Sequence, residues 1–99
     1  MPDFSYRTWL KTWREAGSPK FPESRWIILV GWDDAATAED SIDARLMPSY
    51  TAGFLVGADA KQLKVGLSIF GDDDSRDVIT IPARAVTYIV EILELPHAN

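Results

Sequence analysis

Few residues of this 99-residue chain have the chemistry for catalysis or metal binding. The one histidine, His97, falls among the last three residues, where a general base has no expected ordered neighbours to orient or tune it. Asp72, Asp73 and Asp74 offer carboxylate oxygens to a hard cation, but three in a row lack the spaced ligands of an EF-hand loop and read as a solvated hairpin tip. Asp33 and Asp34 follow Trp32. That trio is a candidate contact for a cation or for a partner's Lys or Arg, although it would equally end a hydrophobic strand. No cysteine is present, which removes disulfides, thiolate metal sites and a thiol nucleophile. No serine has a plausible activating neighbour, and no glycine pattern marks a phosphate loop. The expectation is a protein without catalytic activity, cofactor or metal.

Charge and hydropathy narrow the partners. Residues 1–25 carry five basic and three acidic side chains, a net of +2, against five basic and twelve acidic in the rest, a net of −7. An acidic body disfavours duplex DNA, whose sequence-independent affinity comes from neutralising phosphates with Lys and Arg. The simplest reading of the asymmetry is a basic arm lying on an acidic body. Apolar residues make up 46% of the chain, with four Trp, so it should fold around a core rather than remain disordered. The longest apolar run, Trp26 to Trp32, is far below the roughly 18 residues of a membrane span, and the first residues lack a signal-peptide core. No membrane partner and a cytoplasmic location are expected.

The elements follow from periodicity. Tyr6, Trp9, Leu10 and Trp13 recur at helical spacing, with Arg7, Lys11 and Arg14 off the stripe; Asp3 or Ser5 can cap this helix, and Gly17 and Pro19 stop it. Residues 18–24 form a short linker. Residues 25–32 read as a strand buried on both faces, and 33–50 as a polar, acidic insertion. Residues 51–70 read as a hairpin turning between Ala58 and Gln62, with Gly53, Gly57 and Gly66 permitting bulges. Residues 78–81 give a fourth strand and 86–93 a fifth, whose alternation sets Ile89 and Leu93 on one face and Val86, Tyr88, Val90 and Ile92 on the other. Between them, Pro82 is expected at the first position of a single tight turn, where its fixed φ suits the bend. Such a turn lets the last strand leave the plane of the fourth and the sheet close on itself.

Two segments carry a family resemblance. Residues 53–65, with Gly53, Leu55 and Asp59, resemble the first motif of Sm and Sm-like proteins, with Gln62 where that family has Asn. Residues 81–89 are similar to the second motif at Ile81, Val86 and Ile89, with Pro82 and Ala83 in place of its Arg-Gly. The Tyr-Lys-His signature of the bacterial relative Hfq is absent. The chain also resembles small phage and bacterial proteins carrying a Trp-x-Asp-Ala element, here residues 32–35. The resemblance implies a mostly β fold, an N-terminal α-helix followed by a five-stranded Sm-like (SH3-like) small open barrel. Residues 1–24 would be helix and linker, 25–94 the barrel and 95–99 a tail.

Sm-type rings hold one unpaired base per subunit between a stacking side chain and an Arg, with the Asn bonding the base edge. Carried over, the resemblance implies that Gln62 bonds an edge, Asp59 orients it, and Arg84 stands in for the missing cation if the turn redirects it. The same three are otherwise ordinary hairpin and turn residues. The expected function is a ring-forming homo-oligomer, paired through its last two strands, binding single-stranded RNA or a nucleotide-like ligand. The alternative is a protein-interaction module that grips a protein with the acidic 33–50 insertion and the aromatic helix.

Overall fold

In the computed structural model, which describes residues 3–34, 47–69 and 75–96, the aromatic stripe forms helix α1, Tyr6–Glu15. Ser5 is the cap: its side-chain oxygen accepts the Thr8 amide at 3.2 Å, satisfying a first-turn donor. At the other end the amides of Gly17 and Ser18 bond back to the Arg14 and Trp13 carbonyls. Gly17 takes φ +94°, a value that glycine adopts without steric cost.

Five strands follow: β1 Trp26–Asp34, β2 Met47–Ala58, β3 Gln62–Ile69, β4 Ser75–Pro82 and β5 Val86–Glu94. They form one antiparallel sheet in the order β4-β3-β2-β1-β5. The two edge strands, β4 and β5, are consecutive in the chain and joined by a 3-10 turn, Ala83–Ala85. Three residues reach only on the order of 10 Å. The sheet must therefore bend strongly to bring its opposite edges within that reach. The bending is built in where β2 meets β3: the register slips by one residue between Leu55 and Gly57, and Gly53 lies so close to β3 that a Cβ there would collide with the Gly66 carbonyl.

The core is Ile28, Val30, Leu55, Leu63, Val65 and Ile81, with Tyr6, Trp9 and Trp13 of the helix packed against it. Val30, Leu63, Val65 and Ile81 are wholly buried, each contributing roughly 1.5–3 kcal/mol by leaving water. The linker between α1 and β1 folds back on the sheet. Phe21 is buried against Phe54, ring centroids 5.1 Å apart, and its amide donates to the Leu55 carbonyl.

Four sequence expectations need correction. Pro82 does not start the tight turn: it ends β4 opposite Gln62, with extended backbone (φ −60°, ψ 132°), and the turn begins one residue later. An edge strand tolerates the missing donor, and Ala83 supplies the next bond, from its amide to the Lys61 carbonyl at 2.9 Å. Residues 47–50 are not part of an insertion but the first stretch of β2, paired with β1 and, among the described residues, with no strand on the other flank, where Pro48 is tolerated. The fourth strand is longer than 78–81, starting at Ser75. In β5 simple alternation fails because the register with β1 skips Thr87 and Ile92. The first skip puts Val86 as well as Ile89 against the core; the second moves Leu93 out of phase with Ile89, leaving it about half exposed. At the other end of the expected insertion, Asp33 and Asp34 belong to β1; the remainder, residues 35–46, lies outside the described residues, as do Asp72, Asp73, Asp74 and His97.

Candidate functional site

The turn between β2 and β3 is organised by Asp59. One carboxylate oxygen accepts the Lys61 amide at 2.8 Å and the Gln62 amide at 2.9 Å, while the Asp59 amide donates to the Gln62 carbonyl at 2.9 Å. Those two amide bonds hold the exposed Asp59 carboxyl below the usual carboxylate range, helped by the charges of Lys64 and Lys61. Aspartate suits this place because its short side chain reaches backbone donors two and three residues ahead.

The helix is fastened to that turn by one phenol. The Tyr6 hydroxyl donates to the Asp59 carbonyl at 2.8 Å, with the Gln62 carbonyl also within reach at 3.0 Å. Burial, then the neighbouring Asp59 carboxylate, push the Tyr6 phenol up to about 12, with Arg14 opposing in part. The turn is thus fixed from two sides, by Asp59 within it and by Tyr6 across it.

Against this fixed turn lies the 3-10 turn that follows β4. Ala60 and Lys61 from the first, with Pro82, Ala83 and Arg84 from the second, line an open cavity of about 300 Å³. Ala83 is buried and anchors the second turn, whereas Lys61 and Arg84 are exposed, so their charged ends are available at the cavity. Ala60 also borders a wider groove of about 620 Å³ along α1, lined by Arg7, Lys11 and Arg14 with Glu15 as its one acid among the described residues. Five cationic side chains therefore border two adjoining hollows on a protein whose net charge is −5.

Of the expected binding residues, Arg84 is at the cavity. Asp59 and Gln62 support it from behind: Asp59 spends its carboxylate on the turn, and Gln62, half-buried, gives its carbonyl to Tyr6 and Asp59. Lys61 was missed. Its signal in the sequence is its position inside the hairpin turn, next to Gln62. Among the expected partner-contact residues, Trp32 is half-buried against the core, and its indole N–H donates to the Thr51 hydroxyl at 3.0 Å. Asp33 sits opposite Pro48 and Asp34 opposite Met47, at the end of the β1–β2 ladder.

Among the described residues no group of three metal-binding side chains could hold an ion, and no helix is long and apolar enough to cross a membrane. In comparisons with known proteins, no family model, no curated protein and no solved structure matches the chain.

Proposed function

We propose that this protein is an Sm-like small β-barrel that binds single-stranded RNA or a nucleotide-like ligand at the cavity between its two turns. The observation that carries the reading is the meeting of Lys61 and Arg84 across Ala60, Pro82 and Ala83. The two turns come from the two segments that resemble the Sm motifs, and each contributes one cation. Arg84 lies in the 3-10 turn and lines the cavity, which supports the role proposed for it. A phosphate would be held by Lys61 and Arg84, and the guanidinium plane of Arg84 can stack on a base. The predominantly basic groove along α1 continues the path for further phosphates, an electrostatic track of the kind that single strands follow.

Self-association belongs to the same reading. Strands β4 and β5 are the sheet edges, and Val78, Val90, Ile92 and Leu93 on them are each about half exposed. Edge strands with exposed apolar side chains are templates for further pairing. Joining β4 of one copy to β5 of the next is a heterologous contact that closes into a ring when the rotation permits. The rival reading, a protein-gripping module, draws less support because Tyr6, Trp9 and Trp13 pack inward on the sheet.

Fluorescence anisotropy of a short labelled single-stranded RNA tests the binding. Saturable binding that weakens with salt is expected, together with a loss of about tenfold or more in the Lys61→Gln, Arg84→Gln double variant. Absence of binding at low salt would overturn the reading. Sedimentation equilibrium showing an 11.1 kDa monomer at micromolar concentration would remove the ring.

A further inference from the structure

Away from the cationic hollows, a second cavity of about 200 Å³ lies between the helix and the sheet. Three of the four tryptophans border it: Trp9 and Trp13 from α1 and Trp26 from the start of β1. Its apolar wall includes Ile28 and Ile89, and among the described residues the one charged side chain on its lining is Glu91 of β5.

The walls are set before any ligand arrives. The Trp9 and Trp13 rings stack nearly parallel, centroids 5.7 Å apart and 9° between planes. The Trp13 indole N–H donates to the Pro19 carbonyl at 2.8 Å, which fixes that ring and uses its polar edge. Glu91 borders the cavity because it pairs with Ile28 of β1 and follows Ile89, which pairs with Val30, on the same face of β5. Arg25, the chain neighbour of Trp26, is turned to the Phe21 ring, 5.3 Å from its centroid, so the nearest basic side chain in sequence does not fill the space.

We infer that this cavity is a binding site for a quaternary or methylated ammonium group. Indole rings carry negative charge on their faces and attract a cation more strongly than other aromatic rings. A carboxylate at the rim adds a counter-charge. An ammonium ion clothed in methyl groups also loses little hydration on entering an apolar cavity, unlike a bare ammonium, which would have to surrender hydrogen bonds to water. Stacked, hydrogen-bonded walls need little ordering on binding, which favours affinity in a small site. A purely apolar guest would use the walls but make nothing of Glu91. This inference does not rest on the RNA reading, since the two sites share no lining residue.

Choline against its uncharged carbon isostere, 3,3-dimethylbutan-1-ol, is the direct test, read by tryptophan fluorescence of the full chain at constant ionic strength. The site should take choline about tenfold or more tightly than the isostere. Glu91→Gln, a neutral change at an exposed position of an edge strand, should weaken choline several-fold and leave the isostere unchanged. A short peptide carrying trimethyl-lysine, run in parallel, separates a protein-borne group from a free small molecule; tighter binding of either one supports the site and names its source. Equal affinity for choline and the isostere would overturn the inference, as would absence of saturation by choline and peptide alike.

Discussion

Two of the molecule's cavities, one between the turns and one between helix and sheet, are built from opposite materials. The one between the two turns is lined by Ala60, Pro82 and Ala83 and edged with Lys61 and Arg84, whereas the one between the helix and the sheet is walled by indole rings and edged with Glu91. The difference lies in what each must also do for the fold. Lys61 and Arg84 are exposed and take no part in the core, so the two turns that carry them are held instead by Asp59 and Tyr6 at the first and by Ala83 at the second. Trp9 and Trp13 are core lid and cavity wall at once. Substitutions at the first cavity can therefore separate binding from stability, and those at the second cannot do so cleanly.

The largest effect is expected at the wall that serves both purposes. Trp9→Ala should cost about 2 kcal/mol in urea unfolding, less than a fully buried Trp because the ring is only half-buried. A midpoint unchanged from the native chain would mean that the helix does not pack on the sheet. Next comes the tie between the two regions. Tyr6→Phe should cost about 1 kcal/mol at neutral pH by leaving the Asp59 carbonyl without its donor, while the Gln62 carbonyl keeps the Asp59 amide.

Tyr6 also sets an alkaline limit. Its phenol is raised from 10.0 to about 12 in the folded protein. The protonated form is therefore favoured by folding: its stabilisation is complete below pH 10 and lost as the pH climbs toward 12. Thermal melts across that window should fall more steeply for the native chain than for Tyr6→Phe, and parallel slopes would refute the role given to the hydroxyl.

Asp59 behaves in the opposite sense. Its folded value is depressed below 3.8, so its contribution is present above that pH and fades as the pH falls through the folded value. Asp59→Ala should lower the melting temperature at neutral pH, and the gap should narrow on acidification; a constant gap would show that the charge is irrelevant to the turn. The smallest effect belongs to the cationic rim. The Lys61→Gln, Arg84→Gln variant should melt within about 0.5 kcal/mol of the native chain while losing RNA.

How far the sequence could be read depended on whether the deciding physics was local. Ser5, Gly17 and the stripe of Tyr6, Trp9 and Trp13 delimit α1 by capping and periodicity, both of which act within a few residues. The hairpin at Ala58–Gln62 was equally plain from its turn residues. What escaped was set by distant pairing. Pro48 and Ser49 look like loop until β1 offers them a partner, and the phase of β5 changes at Thr87 and Ile92 only because β1 imposes its register. The candidate site divided in the same way. Arg84 could be suspected from its place after Pro82, but that Lys61 would share its cavity depends on β4 bringing the second turn back to the first. The cavity under the helix was invisible for a related reason: the spacing of Trp9 and Trp13 announces a buried stripe, and nothing in it shows that Trp26 and Glu91 stop short of filling the space beside them.

A two-ligand titration followed by proton–nitrogen correlation NMR tests the separation of the two cavities most directly. A short single-stranded RNA should shift the backbone amides of Ala60, Lys61, Ala83 and Arg84 and leave the indole signals of Trp9, Trp13 and Trp26 in place. Choline should do the reverse. RNA-induced shifts centred on the indoles, or choline-induced shifts centred on the turns, would contradict the account.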